Sequence, residues 1–337
     1  MRATALVMTG PRQLELRNHE VPLLRPDEVL VRTEYSGVSQ GTEIDAFRGA
    51  RRELTFPTVT GYQSVGVIED VGTDVTQLQP GTRVLFTTSR LPAEYPPTWM
   101  AAHVSHAVVT TAPRGPIQVP VGVDPVEAAL TAMVAVGLGG IQQISVKLGD
   151  VALVSGQGLI GQCAAQLARA RGATVITTDL SETRVRLSAA HSADVALLLG
   201  RDDVDAALRS LAPRGVDVVI ESSGRADQFA PSIDHLRTEG TLLLQGYYQQ
   251  PITFDFHPTH IKKPTIAIAC GFGDLRLALT LLRWNKVRLR HLVTHQVPPG
   301  DGPELFARMD GGDPDVLGVV FDWTTLEPVT LGSGSVS

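Results

Sequence analysis

Only two cysteines, Cys163 and Cys270, occur among 337 residues. That scarcity excludes a disulfide framework and any zinc site built from several thiolates, and it leaves both residues to act as small core hydrophobes. Basic residues are also outnumbered, with 29 Lys and Arg against 35 Asp and Glu for a formal net charge of −6. They are scattered along the chain, so it carries no electrostatic footprint for a phosphate backbone or an anionic lipid, and nucleic acid is not an expected partner. No stretch approaches about 18 uninterrupted apolar residues. The N-terminal run Met1–Val7 is cut short by Thr9-Gly10-Pro11, too early for a signal peptide. A cytoplasmic chain with no membrane partner is the expectation.

What is present is enough apolar material for real cores, 43% of a length that exceeds one ordinary domain. From Met1 to about residue 123 the chain is rich in Val, Thr, Gly and Pro, with short alternating runs such as Glu28–Thr33 and Ser64–Glu69. This pattern, broken by turns such as Gln79-Pro80-Gly81, predicts a compact, mostly antiparallel β domain. At Asp124-Pro125 the character changes to Ala and Leu at helical spacing. Helical segments then alternate with short apolar runs at Val151–Val154, Thr174–Thr178, Val195–Leu199, Val216–Ile220, Thr241–Leu244 and Thr265–Ala269. Six buried strands with helical crossovers predict a doubly wound parallel sheet over residues 124–270, an α/β fold. A helix at Asp274–Trp284 and β-type runs at Leu292-Val293-Thr294 and Gly318–Phe321 make 271–337 a return to the first domain, and Leu331–Ser337 reads as a flexible terminus.

The run Gly156-Gln157-Gly158-Leu159-Ile160-Gly161 follows the first of those strands and opens a helix. Asp179 stands 18 positions beyond Gly161, at the end of the next strand. Strand, glycine turn, helix, second strand and acid in that order read as a dinucleotide-binding turn. Gly156 permits the tight turn, Gly158 lets backbone approach the pyrophosphate, and Gly161 lets helix and strand pack closely. An Asp179 carboxylate on the adenosine ribose repels a 2′-phosphate, so NAD is favoured over NADP as cofactor. Arg184 and Arg186 follow closely; they either cradle such a phosphate or stack on adenine, or form a solvated helix face. Ser222 in Glu221-Ser222-Ser223-Gly224 is expected near the adenosine, and Gly246 and Tyr247 near the nicotinamide, with ordinary loop chemistry as the alternative.

The order of parts and several short motifs resemble the medium-chain dehydrogenase/reductase superfamily over nearly the whole chain. Ser36-Gly37-Val38-Ser39-Gln40-Gly41-Thr42-Glu43 is similar to its catalytic-metal loop. Gly61-Tyr62-Gln63-Ser64-Val65-Gly66 is similar to its Gly-His-Glu segment, and Thr131-Ala132 sits where members approach the nicotinamide. A closer likeness runs through Gly246-Tyr247-Tyr248, Phe254–Pro258 and Phe321-Asp322-Trp323 to a branch that oxidises a hydroxyethyl group to acetyl with NAD. The resemblance implies a GroES-like β-rich catalytic domain beside a Rossmann cofactor domain. It also implies a homodimer paired at the edge strand Thr265–Ala269.

The metal positions of the family hold Ser39 or Gln40, and Tyr62, none of them a competent zinc ligand, so no metal is expected. His103 with His106, and His257 with His260, read as surface or hydrogen-bonded pairs rather than as a different metal site. Without zinc, polarisation of a substrate oxygen falls to hydrogen bonds. The resemblance makes Tyr62 the candidate acid, or else a plug for the vacated metal cavity. It makes Thr42 the relay hydroxyl and Ser39 a polar wall. Glu43 is either a base or a structural ion pair with Arg48 or Arg51. The functional expectation is an NAD(H)-dependent oxidoreductase interconverting a secondary alcohol and a ketone on a small-molecule substrate. The alternatives are a reductase of polarised C=C bonds and a non-catalytic nucleotide-binding scaffold.

Overall fold

The structure, a computed structural model, describes residues 1–112 and 115–326. The expected flexible terminus at Leu331–Ser337 lies outside the described residues. Two compact units divide the chain, one formed by Met1–Leu130 with the segment from Val293 onward, the other by Thr131–Leu292.

In the first unit β1 (Arg2–Gly10), β2 (Gln13–Glu20), β3 (Glu28–Gly37), helix α1 (Gln40–Phe47) and β4 (Thr58–Val59) come first. They are followed by β5 (Ser64–Val71), β6 (Arg83–Phe86), β7 (His106–Thr110), β8 (Ile117–Gln118) and the short helix α2 (Pro125–Ala128). The alternating runs read from the sequence become β3 and β5, which pair antiparallel from Val29 opposite Val71 to Ser36 opposite Ser64. Their inward residues Val29, Val31 and Ile68 join Val7, Val84, Phe86 and Val104 in one buried apolar cluster. The Asp124 carboxylate accepts the Val126 N–H at 2.8 Å and so caps α2, as the Asp-Pro pair predicted.

The second unit opens with α3 (Thr131–Gln142) and continues as β9 (Val151–Ser155), α4 (Leu159–Ala170), β10 (Thr174–Asp179), α5 (Glu182–His191), β11 (Val195–Leu198) and α6 (Val204–Leu211). Then come β12 (Val216–Glu221), α7 (Phe229–His235), β13 (Leu236–Leu244), α8 (Phe256–Lys262), β14 (Thr265–Ile268) and α9 (Leu275–Arg283). All six strands run parallel in the order β11-β10-β9-β12-β13-β14. The order reverses between β9 and β12, and that is where doubly wound sheets bind ligands, beyond the carboxyl ends of the strands. No helix among the described residues is long and apolar enough to cross a membrane.

The chain returns with β15 (Val293–Val297), α10 (Gly302–Asp310) and β16 (Gly318–Asp322). These two strands extend the first unit's larger sheet, ordered β15-β16-β3-β5-β6-β8, with β7 also on β3. The division between units differs from the 123/124 and 270/271 boundaries read from the sequence. α2 packs on β3 and β5 and so stays with the first unit, whereas α9 packs on α3 and so stays with the second. Two expectations of burial also fail. β14 is the sheet's edge as expected, but its Ile266 and Ile268 are exposed rather than buried, and Cys270 beyond it is exposed rather than core, while Cys163 in α4 is buried.

Candidate active site and cofactor site

In the second unit the chain leaves β9 through Gly156, whose φ of +85° lies in the left-handed region. A Cβ there would also stand 2.8 Å from the Ser223 nitrogen, so glycine is required twice over. At Gly161 a Cβ would fall 1.9 Å from the Gly156 carbonyl oxygen, which is the close helix–strand approach expected of the third glycine. Gly158 differs, because nothing lies within 4 Å of a Cβ built on it. It precedes Leu159 and Ile160 as the N-cap of α4 and supplies no side-chain cap, leaving the first N–H groups of a 12-residue helix for an anion.

Asp179 ends β10 and is buried. Its Oδ2 accepts the Gln157 N–H at 2.6 Å and its Oδ1 accepts the Ser181 N–H at 2.8 Å. The carboxylate therefore braces the glycine turn, a role the sequence reading did not assign, and each oxygen keeps a lone pair for a ribose hydroxyl.

Among the described residues of this unit four buried polar atoms lack a hydrogen-bond partner: His291 Nε2, and three that concern the cofactor site, Arg184 Nε, Ser222 Oγ and Gln245 Oε1. The latter three follow the carboxyl ends of β10, β12 and β13. Orphaned buried polar atoms are rare and costly, about 1–3 kcal/mol each, unless something arrives to pair with them. The open Gly158, the uncapped helix and these orphans together fit a dinucleotide. Gln245 is anchored by its Nε2, which donates to the Val136 and Gly137 carbonyls of α3 at 3.0 and 3.3 Å.

Thr131, the first residue of α3, is buried, and Tyr247 is exposed. Gly246 lies so close to Gly224 that a Cβ would stand 2.4 Å from the Gly224 nitrogen. The buried Glu221 organises this loop, accepting from the Ser223 N–H at 2.9 Å, from the Ser223 hydroxyl and from the Tyr248 hydroxyl. Burial and the Glu221 charge push the Tyr248 phenol up.

In the first unit β3 runs into α1 and delivers Ser36, Ser39, Thr42 and Glu43, while the turn before β5 delivers Tyr62. Tyr62 is buried, its ring lies 5.6 Å from that of the half-exposed Trp99, and its hydroxyl is hydrogen-bonded to the Ser39 and Thr42 side chains. Burial raises its pKa to about 12, the nearby Glu43 charge adding to that while the Ser39 and Thr42 bonds and the Arg51 charge oppose it. A phenol in that state stays protonated at neutral pH and is a hydrogen-bond donor.

Glu43 does not pair with Arg48 or Arg51. Arg48 reaches Asp310, and Arg51 reaches Glu53 at 3.3 Å. The carboxylate instead accepts the Ser39 N–H at 2.9 Å and meets His103 Nε2 at 3.0 Å, both partners fully buried. His103 is thus a hydrogen-bonded core histidine, whereas His106 is a half-buried residue 3.7 Å from Glu69. The second histidine pair lies on the exposed α8, with His260 stacked on Phe256. The donors at the family's metal positions are hydroxyls and an amide engaged with one another and with backbone, Gln40 Nε2 donating to the Val316 carbonyl at 2.9 Å. Such a set does not fit a catalytic zinc.

Two family models match the chain, the alcohol dehydrogenase GroES-like domain over residues 25–108 and the zinc-binding dehydrogenase over residues 160–284. Among named proteins, a 2-desacetyl-2-hydroxyethyl bacteriochlorophyllide A dehydrogenase from Cereibacter sphaeroides is 27% identical over 96% of this chain and 99% of its own length. A sorbitol dehydrogenase from Halalkalibacterium halodurans is also 27% identical, over 93% of this chain and 97% of its own. An Escherichia coli oxidoreductase/dehydrogenase of unknown specificity superposes with a TM-score of 0.86 at 19% identity, over 96% of this chain and 99% of that one. A Sinorhizobium meliloti dehydrogenase bound to NADP superposes at 0.82 with 21% identity, over 96% and 99% of the two chains. An E. coli alcohol dehydrogenase complexed with NADH gives 0.83 with 17% identity, over 95% and 99%.

Proposed function

Because the chain belongs to the medium-chain dehydrogenase/reductase superfamily, we propose that it is a zinc-independent, NAD(H)-dependent oxidoreductase interconverting a secondary alcohol and a ketone on a medium or large metabolite. The observation that carries this reading is Tyr62, a buried neutral phenol held by Ser39 and Thr42 at the place of the family's metal ligand. The relative named for a hydroxyethyl substrate supports an alcohol-to-ketone reaction.

Bound NAD(H) supplies or accepts the hydride at the nicotinamide ring. Gly156, Gly158 and Gly161 would shape its pyrophosphate cradle, the N–H groups of Leu159 and Ile160 would hold the phosphates, and Asp179 would accept the ribose hydroxyls. Arg184, Ser222, Gly246, Tyr247 and Thr131 complete the contacts. In the reductive direction the Tyr62 hydroxyl donates to the carbonyl oxygen and transfers its proton as the alkoxide forms. In the oxidative direction the reverse transfer requires the Tyr62 phenolate, which takes the alcohol proton and returns to the phenol, so the raised pKa of Tyr62 favours the reductive direction at neutral pH. Thr42 and Ser39 orient that hydroxyl, and Glu43 sets the electrostatics around it. The protein works as a cytoplasmic homodimer paired along the exposed edge of β14.

Metal analysis by inductively coupled plasma spectrometry, with turnover on NAD against NADP, tests the reading. Stoichiometric zinc or a strong NADP preference overturns it. One observation favours a second reading: the unpartnered Arg184 Nε offers a bond to a 2′-phosphate and so to an NADPH-dependent reductase of polarised C=C bonds. An enone panel run beside a secondary-alcohol panel separates the two.

A further inference from the structure

A buried series of hydrogen bonds runs through the first unit from Trp323, in the turn after β16, to Ser39, whose backbone takes part in it and whose side chain bonds the Tyr62 hydroxyl. Trp323 Nε1–H donates to Ser36 Oγ at 2.7 Å, and Ser36 Oγ lies 2.7 Å from His103 Nδ1. His103 Nε2 lies 3.0 Å from Glu43 Oε2, and Glu43 Oε1 accepts the Ser39 N–H at 2.9 Å. The Ser39 side chain bonds Tyr62. Trp323, Ser36, His103 and Glu43 are 3%, 0%, 0% and 0% exposed, so water does not substitute for any of these partners.

The donors fix the histidine tautomer. An indole N–H only donates, so Ser36 Oγ is an acceptor toward Trp323 and has one proton to place. Directed at His103 Nδ1, that proton leaves Nε2–H to donate to an ionised Glu43, and every group is satisfied. Were Nδ1 protonated, Ser36 would accept twice and its own proton would have no acceptor among the described residues. The ring is also wedged in place. A Cβ on Gly61, the residue before Tyr62, would stand 2.5 Å from His103 Cγ, and Phe321 meets the ring edge-on at 5.2 Å between centroids. Ser36, His103 and Glu43 form a serine–histidine–carboxylate trio, but a Ser36 with no exposed surface is not a nucleophile for any external substrate.

We propose that His103, in its neutral Nε2–H tautomer, is a positioning residue that fixes the Glu43 carboxylate and through it the Ser39–Tyr62 hydrogen bond. This rests on the reading of Tyr62 as the proton donor. It assigns the setting of Tyr62 to a residue 41 positions away in sequence that touches neither substrate nor cofactor.

The native protein labelled with 15N-histidine gives the first test, the His103 resonances being those lost in His103→Gln. Protonated Nε2 and bare Nδ1 are expected from the arrangement of donors and acceptors around the ring. An imidazolium or an Nδ1–H tautomer overturns the proposal, and this measurement needs no variant to be active. The second test uses ζ-13C-tyrosine and turnover together. His103→Phe removes both ring nitrogens and is expected to shift the Tyr62 resonance and lower kcat about 10- to 100-fold, as misplaced catalytic groups do, with KM and NADH affinity unchanged. His103→Gln keeps one N–H donor and partly restores both. A folded His103→Phe protein with unaltered Tyr62 resonance and kcat overturns the proposal. Absence of alcohol turnover in the native protein overturns the functional reading alone, and the two resonances still decide the role of His103.

Discussion

Gly158→Ala separates the cofactor role of the glycine turn from its structural role. The backbone at Gly158 has φ −69° and ψ −176°, which alanine adopts freely, and no atom lies within 4 Å of the new Cβ. The folding cost is confined to replacing glycine by alanine at an N-cap, about 0.5–1 kcal/mol, or a fall in Tm of a few degrees at most. The same methyl group stands where a pyrophosphate must approach the first N–H groups of α4. Losing one or two hydrogen bonds to a charged group removes about 1.5–3 kcal/mol, a 10- to 100-fold weaker Kd for NADH. Gly161→Ala reverses the pattern, since its Cβ overlaps the Gly156 carbonyl oxygen at 1.9 Å, and no side-chain rotation relieves a clash with backbone. Overpacking of this kind costs about 1–3 kcal/mol or more and shifts the whole helix, so stability and affinity fall together. Thermal melts and NADH fluorescence titrations on both variants give the comparison. A Gly158→Ala protein that folds normally and binds NADH as tightly as the native chain refutes the placement of the pyrophosphate over Gly158.

Alkaline stability follows from two buried groups whose pKa values are raised to about 12, Tyr62 from 10.0 and Cys163 from 9.0. The folded state keeps protons there that the unfolded chain has lost, so their stabilisation is complete below pH 9 and disappears as pH rises from 9 to 12, Tyr62 contributing about 2–3 kcal/mol of the fall. Urea unfolding across that range should flatten above pH 10 in Tyr62→Phe, and an unchanged slope contradicts the burial argument. Gly61→Ala combines a φ of +82° with the overlap on the wedged His103 ring, so it should cost about 2–4 kcal/mol in urea unfolding. A cost under about 1 kcal/mol would show that the ring is free to move. Ile268→Lys on the exposed edge of β14 should leave the thermal melt unchanged and convert the homodimer to monomer in light scattering. A native protein that is monomeric at micromolar concentration removes the edge-pairing proposal.

The parallel sheet was legible because each strand is an apolar run bounded by glycine or polar turns, and because Asp124 and Asp274 announce helices with a side chain that caps them. All six strands appear within a few residues of their expected limits, Leu236–Leu244 excepted, where the observed strand begins earlier. Burial was less legible than pairing. Thr265–Ala269 reads like the other buried runs, and although it is the expected last strand of the sheet, nothing in its own residues says that Ile266 and Ile268 stay exposed. Its exposed isoleucines are therefore the reason to expect a second copy there.

The polar site was the least legible part, and the reason is geometric. Glycine spacing survives in sequence because one turn makes it, so Gly156, Gly158 and Gly161 could be read at sight. Glu43 and His103 are 60 residues apart, and Ser36 and Trp323 are 287 apart. The antiparallel register of β3 and β16, with Ser36 opposite Phe321, brings the second pair together, while His103 is held against β1 by the Leu6 N–H to its carbonyl. A local reading of Glu43 offers Arg48 and Arg51 as partners, on the next turn of chain, and both are drawn elsewhere by carboxylates they reach more easily. The clue that did exist was Gly61. Its backbone φ of +82° and the His103 ring in its Cβ space both demand glycine, but from sequence Gly61 shows only that something there excludes a side chain, and the identity of the ring is not legible.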